Sequence, residues 1–86
     1  MKDLYFEELK VRIFKSVENV NYYAENKDVN RNHTNYGGAS ALARVLRDFG
    51  HIVELPVWED EGYLKIPFLK VDEWKIDFNK YENVEE

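Results

Sequence analysis

The chain is 86 residues long, has no cysteine, and carries 12 basic against 17 acidic side chains for a net charge of −5. That length supports one domain with a modest core. A disulfide framework and a cysteine zinc site are excluded, and no apolar run approaches the ~18 residues that a membrane-spanning helix needs.

The charge is unevenly placed. Residues 1–43 balance at six basic and six acidic side chains, whereas residues 44–86 hold six basic and eleven acidic ones. Non-specific affinity for nucleic acid comes from clustered Lys and Arg, so this balance disfavours a DNA or RNA binder and suits a protein partner with a basic surface. The first eight residues, Met1 to Glu8, lack the apolar stretch and cleavage site of a signal peptide, so a cytoplasmic location is expected. Association into a homo-oligomer would add to a core of this size.

Phe6, Leu9, Ile13, Val17 and Val20 are spaced 3, 4, 4 and 3 apart, which predicts a helix from about Asp3 to Val20, continuing or re-forming through Tyr22-Tyr23-Ala24. The competing reading is a short helix followed by a strand over 10–15, where Val11, Ile13 and Lys15 alternate with Arg12 and Phe14. Glu25 to Gly38 is polar, rich in asparagine, and reads as a loop. Ser40 then caps a second helix that runs to Phe49 and stops at Gly50, with Ala41, Leu42, Val45, Leu46 and Phe49 on its apolar face.

Period-two alternation marks the strands, at Val53/Leu55/Val57, Leu64/Ile66/Phe68 and Trp74/Ile76/Phe78. A four-residue loop, Glu59 to Gly62, predicts a hairpin in which Trp58 faces Tyr63, Val57 faces Leu64 and Leu55 faces Ile66. Val53, Leu55, Val57, Leu64, Ile66 and Phe68 then form the face that takes the helix. Asp72-Glu73 makes a poor two-residue turn, because neither residue readily takes φ > 0, which leaves the second hairpin's register open. Residues 79–86 read as a frayed acidic tail. The expected fold class is α+β, one small domain with an antiparallel sheet of about three strands on one or two helices.

Three constellations carry functional expectations. Tyr36-Gly37-Gly38-Ala39-Ser40 with Arg44 one turn on suggests an anion or nucleotide site at a helix N-terminus. The hairpin tip sets Trp58 and Tyr63 beside Glu59, Asp60 and Glu61, an aromatic anchor with acids that steer a basic partner. The helix–hairpin order also resembles the end of a winged helix that binds DNA, although its wing would present three acids to phosphate. Asp72-Glu73-Trp74-Lys75 holds the local pattern of a metal-dependent nuclease without identifiable partner acids, and His33 and His51 are too isolated to form a metal pair. No nucleophile elbow is present. No enzyme, metal or cofactor is therefore expected. The reading is an acidic protein-binding module, of a composition that suits a phage or mobile-element inhibitor of a host protein.

Overall fold

A computed structural model of the chain describes residues 2–78. The order is α1 (Lys2–Glu25), α2 (Val29–Asp48), β1 (Val53–Glu54), β2 (Trp58–Asp60), β3 (Tyr63–Lys65), β4 (Phe68–Val71) and β5 (Trp74–Asp77). The fold is α+β, as the patterning predicts. Two long helices form an antiparallel pair, and a three-stranded antiparallel sheet, β1-β4-β5, and a separate β2–β3 hairpin cover one side of it. The expected tail, 79–86, lies outside the described residues.

The α1 stripe holds. Leu9, Ile13, Val17 and Val20 are buried, Ala24 extends the row, and Phe6 packs at its margin. The strand alternative at 10–15 does not form, because that row continues unbroken through it. The expected loop at 25–38 is a correction: α2 starts at Val29, and Asp28 caps it, accepting from the Arg31 backbone N–H at 3.2 Å. Ser40 therefore sits inside a helix and is not its cap. The inward face of α2 is Asn32, Ala39, Ala43 and Leu46, while Ala41, Val45 and Phe49 face out. The apolar face expected for this helix is thus rotated, because the buried stripe includes an asparagine that hydropathy does not count.

The strand region is corrected in register. Trp58 faces Lys65 and Asp60 faces Tyr63, so the loop is only Glu61-Gly62. Both loop residues have positive φ, 56° and 88°, the combination of a type I′ turn. The expected pairs Val57–Leu64 and Leu55–Ile66 do not form. Pro56 lacks an N–H and interrupts the run, and β1 pairs instead with β4, Val53 to Val71 and Glu54 to Lys70. Leu69 and Val71 take the inward positions with Val53 and Ile66, whereas Val57 is exposed and Phe68 is half-buried. The second hairpin does close on Asp72-Glu73, with Val71 facing Trp74 and Leu69 facing Ile76. Trp74 and Ile76 therefore share the inner face.

β3 is held in an unusual way. The antiparallel alternation spends the N–H and C=O groups of Tyr63 and Lys65 on β2 and turns those of Leu64 and Ile66 toward the helices. A helix backbone has no groups to give. Two buried side chains answer instead. Asn32 on α2 donates Nδ2 to Leu64 O at 2.9 Å and accepts from Leu64 N at 2.8 Å, and it also donates to Val20 O at 2.7 Å. Asn21 on α1 does the same for Ile66, donating at 3.0 Å and accepting at 2.8 Å. Both asparagines are at most 1% exposed.

Each backbone group left orphaned in a buried site costs about 1–3 kcal/mol. Asn21→Ala and Asn32→Ala each orphan two on β3, so each should lower unfolding free energy by at least about 2 kcal/mol in denaturant titration. Exposed Asn30→Ala should move the midpoint little. Gly37→Ala should do the reverse: a Cβ there meets nothing within 4 Å, the residue is helical, and alanine is favoured over glycine in a helix by about 0.5–1 kcal/mol. A lower midpoint for Gly37→Ala would show that the helix is not regular at that point.

Candidate functional site

The expected partner-binding residues lie where α1 turns into α2. The tip acids Glu59, Asp60 and Glu61 are exposed, as expected, but Asp60 accepts from Lys65 Nζ at 3.2 Å. Trp58 and Tyr63 are half-buried and do not face one another. Lys65 covers the Trp58 ring at 5.2 Å and Lys27 covers the Tyr63 ring at the same distance. His33 Nε2 donates to Gly62 O at 2.8 Å and ties the turn to α2. The hairpin is a rigid acidic tip whose aromatic faces are capped by the chain's own lysines.

The expected anion site is a correction in its geometry. Tyr36, Gly37, Gly38, Ser40 and Arg44 all lie within α2, at least seven residues beyond its first turn's cap. Their backbone N–H groups are engaged inside the helix, so the open N-terminus that an anion would need is absent there. Tyr36 packs against the core.

The other end of the molecule gathers residues that the periodicity did not single out. Here α1 begins and α2 ends. Gly50, at φ 96°, closes α2 in a Schellman arrangement: Gly50 N donates to Arg47 O at 2.9 Å and His51 N to Leu46 O at 3.0 Å. That reversal brings His51 back against α1, where its ring stacks on Phe6 at 4.1 Å and 13°. Phe49 meets Tyr5 edge to face at 6.1 Å. Tyr5, Phe6, Leu9, Leu46, Phe49 and His51 line a cavity of about 290 Å³. Of the lining residues Tyr5 is 54% exposed and Phe49 61%, and Ile52, next to His51 in the chain, is 68% exposed. The hydropathy pattern gave no signal for this end, because Phe49 lies three residues from Leu46 and reads as part of the same apolar face.

A polar clasp backs this cavity. His51 Nδ1 lies 2.8 Å from Asp72 Oδ2, and Asp72 Oδ1 accepts from Ile52 N at 2.9 Å. Asp72 N donates to Ile52 O at 2.7 Å. Asp72 adopts φ 54° in this turn, a left-handed conformation that aspartate takes more readily than most residues other than glycine. The Ile52 N–H, and after it the His51 ring, hold the Asp72 carboxyl below its ordinary value of 3.8. His51 is thus paired across 21 residues of sequence rather than isolated. A second, smaller cavity of about 140 Å³ lies between Glu7, Lys10, Val11, Phe14 and Trp74, with Lys10 Nζ between the Phe6 and Trp74 rings. Among the described residues no cluster of three His, Asp or Glu side chains has the placement to hold a metal ion.

Comparison with protein-family models, with curated proteins and with solved structures found no match.

A carboxyl with a depressed folded pKa adds stability that is present above its unfolded value and is lost as pH falls through the folded one. Wild-type stability should therefore drop below about pH 4, over the range where Asp72 takes up its proton. Asp72→Asn should be less stable than wild type at pH 7, and that difference should shrink toward acid in urea titrations run at a series of pH values. A difference that stayed constant across this range would mean that the clasp does not depend on the carboxylate's charge.

Proposed function

We propose that this chain is a non-enzymatic protein-binding module that docks through its apolar end. The observation that carries this reading is the edge-to-face pair of Tyr5 and Phe49, each more than half exposed, lining one cavity, with exposed Ile52 next in the chain to the lining residue His51. Monomeric soluble proteins seldom leave large apolar side chains grouped in this way, and grouped ones mark contact surfaces. Aromatic anchors around a pocket are also where binding energy concentrates. The acidic tip, Glu59 to Glu61, stands at the far end of the helix pair. With α1 rising 1.5 Å per residue, Tyr5 and Glu25 at the two ends of the helix are about 30 Å apart. The tip suits a secondary, steering role toward a partner with a basic surface, because exposed charges act on encounter rates more than on final affinity.

Two substitutions test this reading without touching the core. Phe49→Asp and Ile52→Asp should leave the fold intact, and each should weaken capture of the partner from the cell of origin by more than about 30-fold, the equivalent of an anchor's ~2 kcal/mol. Charge reversal at Glu59 and Glu61 should slow association at low salt, and the effect should fade as salt is raised. Should both apolar variants capture as well as wild type while the reversals abolish capture, the contact surface is the hairpin. Tight, steeply salt-dependent binding of duplex DNA would favour the winged-helix reading instead.

A further inference from the structure

We propose that the outer edge of β5 pairs with β5 of a second copy of this chain, antiparallel about Ile76, so that two three-stranded sheets join into one of six strands. The backbone phase gives the first argument. Asp72 N donates to Ile52 O, so alternate residues of β4, Lys70 and Phe68, turn their backbone groups toward β1, and Val71 and Leu69 turn theirs toward β5. Opposite these, Trp74 and Ile76 give their N–H and C=O groups to β4. Those of Lys75 and Asp77 point away from the sheet, and among the described residues no strand lies beyond them.

The second argument is charge complementarity, which the other described strand edges lack. The inner edge of β3 is taken by Asn32 and Asn21. β1 is two residues long, and Arg47 Nη2 donates to its outward Val53 O at 2.9 Å. β2 turns Glu59 outward with Asp60 and Glu61 beside it, so a copy of itself would set acid against acid. On β5 the exposed Lys75 would ordinarily guard the edge. Asp77 stands two residues on, its Oδ1 3.5 Å from Lys75 Nζ, and the two exposed charges cancel. Antiparallel pairing centred on Ile76 sets Lys75 opposite Asp77 of the second copy, and Asp77 opposite its Lys75. These are the residues whose backbone groups are free. A slip of two residues keeps the phase but opposes Lys75 to Lys75 or Asp77 to Asp77, and a slip of one sets free groups against residues already bonded to β4. On the inner face the same register places half-buried Trp74 opposite half-buried Phe78 of the second copy, an aromatic cross-strand pair on each side of Ile76.

The test is sedimentation equilibrium of the full chain from about 10 μM to about 1 mM. Wild type should dimerise over this range, and its Lys75 and Asp77 amides should exchange fast when dilute and slowly once the dimer fills. Lys75→Asp alone opposes acid to acid and Asp77→Lys alone opposes base to base, so each should raise the dimer dissociation constant at least about fivefold. Mixed in equal amounts, these two variants restore both opposite-charge pairs, and the mixture should associate to within about twofold of wild type. Lys75→Pro removes an outward N–H and should abolish the dimer, and where that variant does not fold the two charge variants decide alone. Phe49→Asp, at the apolar end, should leave the dimer unchanged. A wild-type chain that stays monomeric at the top of the range overturns the proposal. So does a dimer that the single charge variants leave untouched or that their mixture does not restore. Loss of the dimer in Phe49→Asp, with both charge variants dimeric, places the contact between copies at the apolar end and overturns pairing through β5.

Discussion

Two asparagine side chains stand where a β-strand would otherwise have to be. β3 has a partner on one side only, and on the other it meets helices, whose backbones are already saturated. Leu64 and Ile66 each bring an N–H and a C=O to that boundary. A carboxamide carries one acceptor and a donor group at the spacing of a peptide unit, so Asn32 and Asn21 complete the ladder one residue pair at a time. A two-stranded hairpin alone is marginal in water. Here it is bound to both helices at once, and through Ile66 it joins the same core as Ile13, Leu46 and Leu69. The placement of every strand after it follows from that attachment, because Pro67 leads directly from β3 into β4.

This arrangement also explains which parts of the fold could be read in the chain. α1 was legible because five apolar residues keep helical spacing and nothing interrupts them. The first half of α2 was not. Its inward residue is Asn32, its middle holds Gly37 and Gly38, and both features belong by statistics to loops. Packing against α1 overrides these local preferences. The inner positions of Val53, Ile66, Trp74 and Ile76 followed from alternation, but Val57 is exposed, Leu69 and Val71 rather than Phe68 take the inward places in β4, and the register did not follow. Glu61-Gly62 forms a two-residue turn although Glu seldom takes positive φ, and Pro56 ends a run that hydropathy continues. Asp72 accepts a left-handed backbone because its carboxylate gains the Ile52 N–H and His51, a compensation visible only once the chain is folded.

The two contact surfaces of the proposed function divide in the same way. The acidic tip was legible as charge, yet its aromatic residues serve Lys65 and Lys27 of the same chain. The apolar end was not legible, since Phe49 and Ile52 look like core residues in any hydropathy profile. They are exposed because Gly50 turns the chain there, and the Schellman closure aims His51 rather than Phe49 at α1. One backbone reversal thus bares the rim, shapes the cavity and sets the orientation of the only imidazole that lines it. The acidic tip and the apolar end sit at opposite ends of a molecule 42 Å long.

The central claim is that side-chain amides replace a strand along β3, and native-state hydrogen exchange reads it directly. The Leu64 and Ile66 amides have no backbone acceptor on that edge, so any protection they show comes from Asn32 Oδ1 and Asn21 Oδ1. The account predicts that both exchange as slowly as the buried α1 amides of Ile13 and Val17, through global unfolding alone. Exchange of Leu64 and Ile66 at the rate of the exposed Glu59 amide, with α1 still protected, would contradict it.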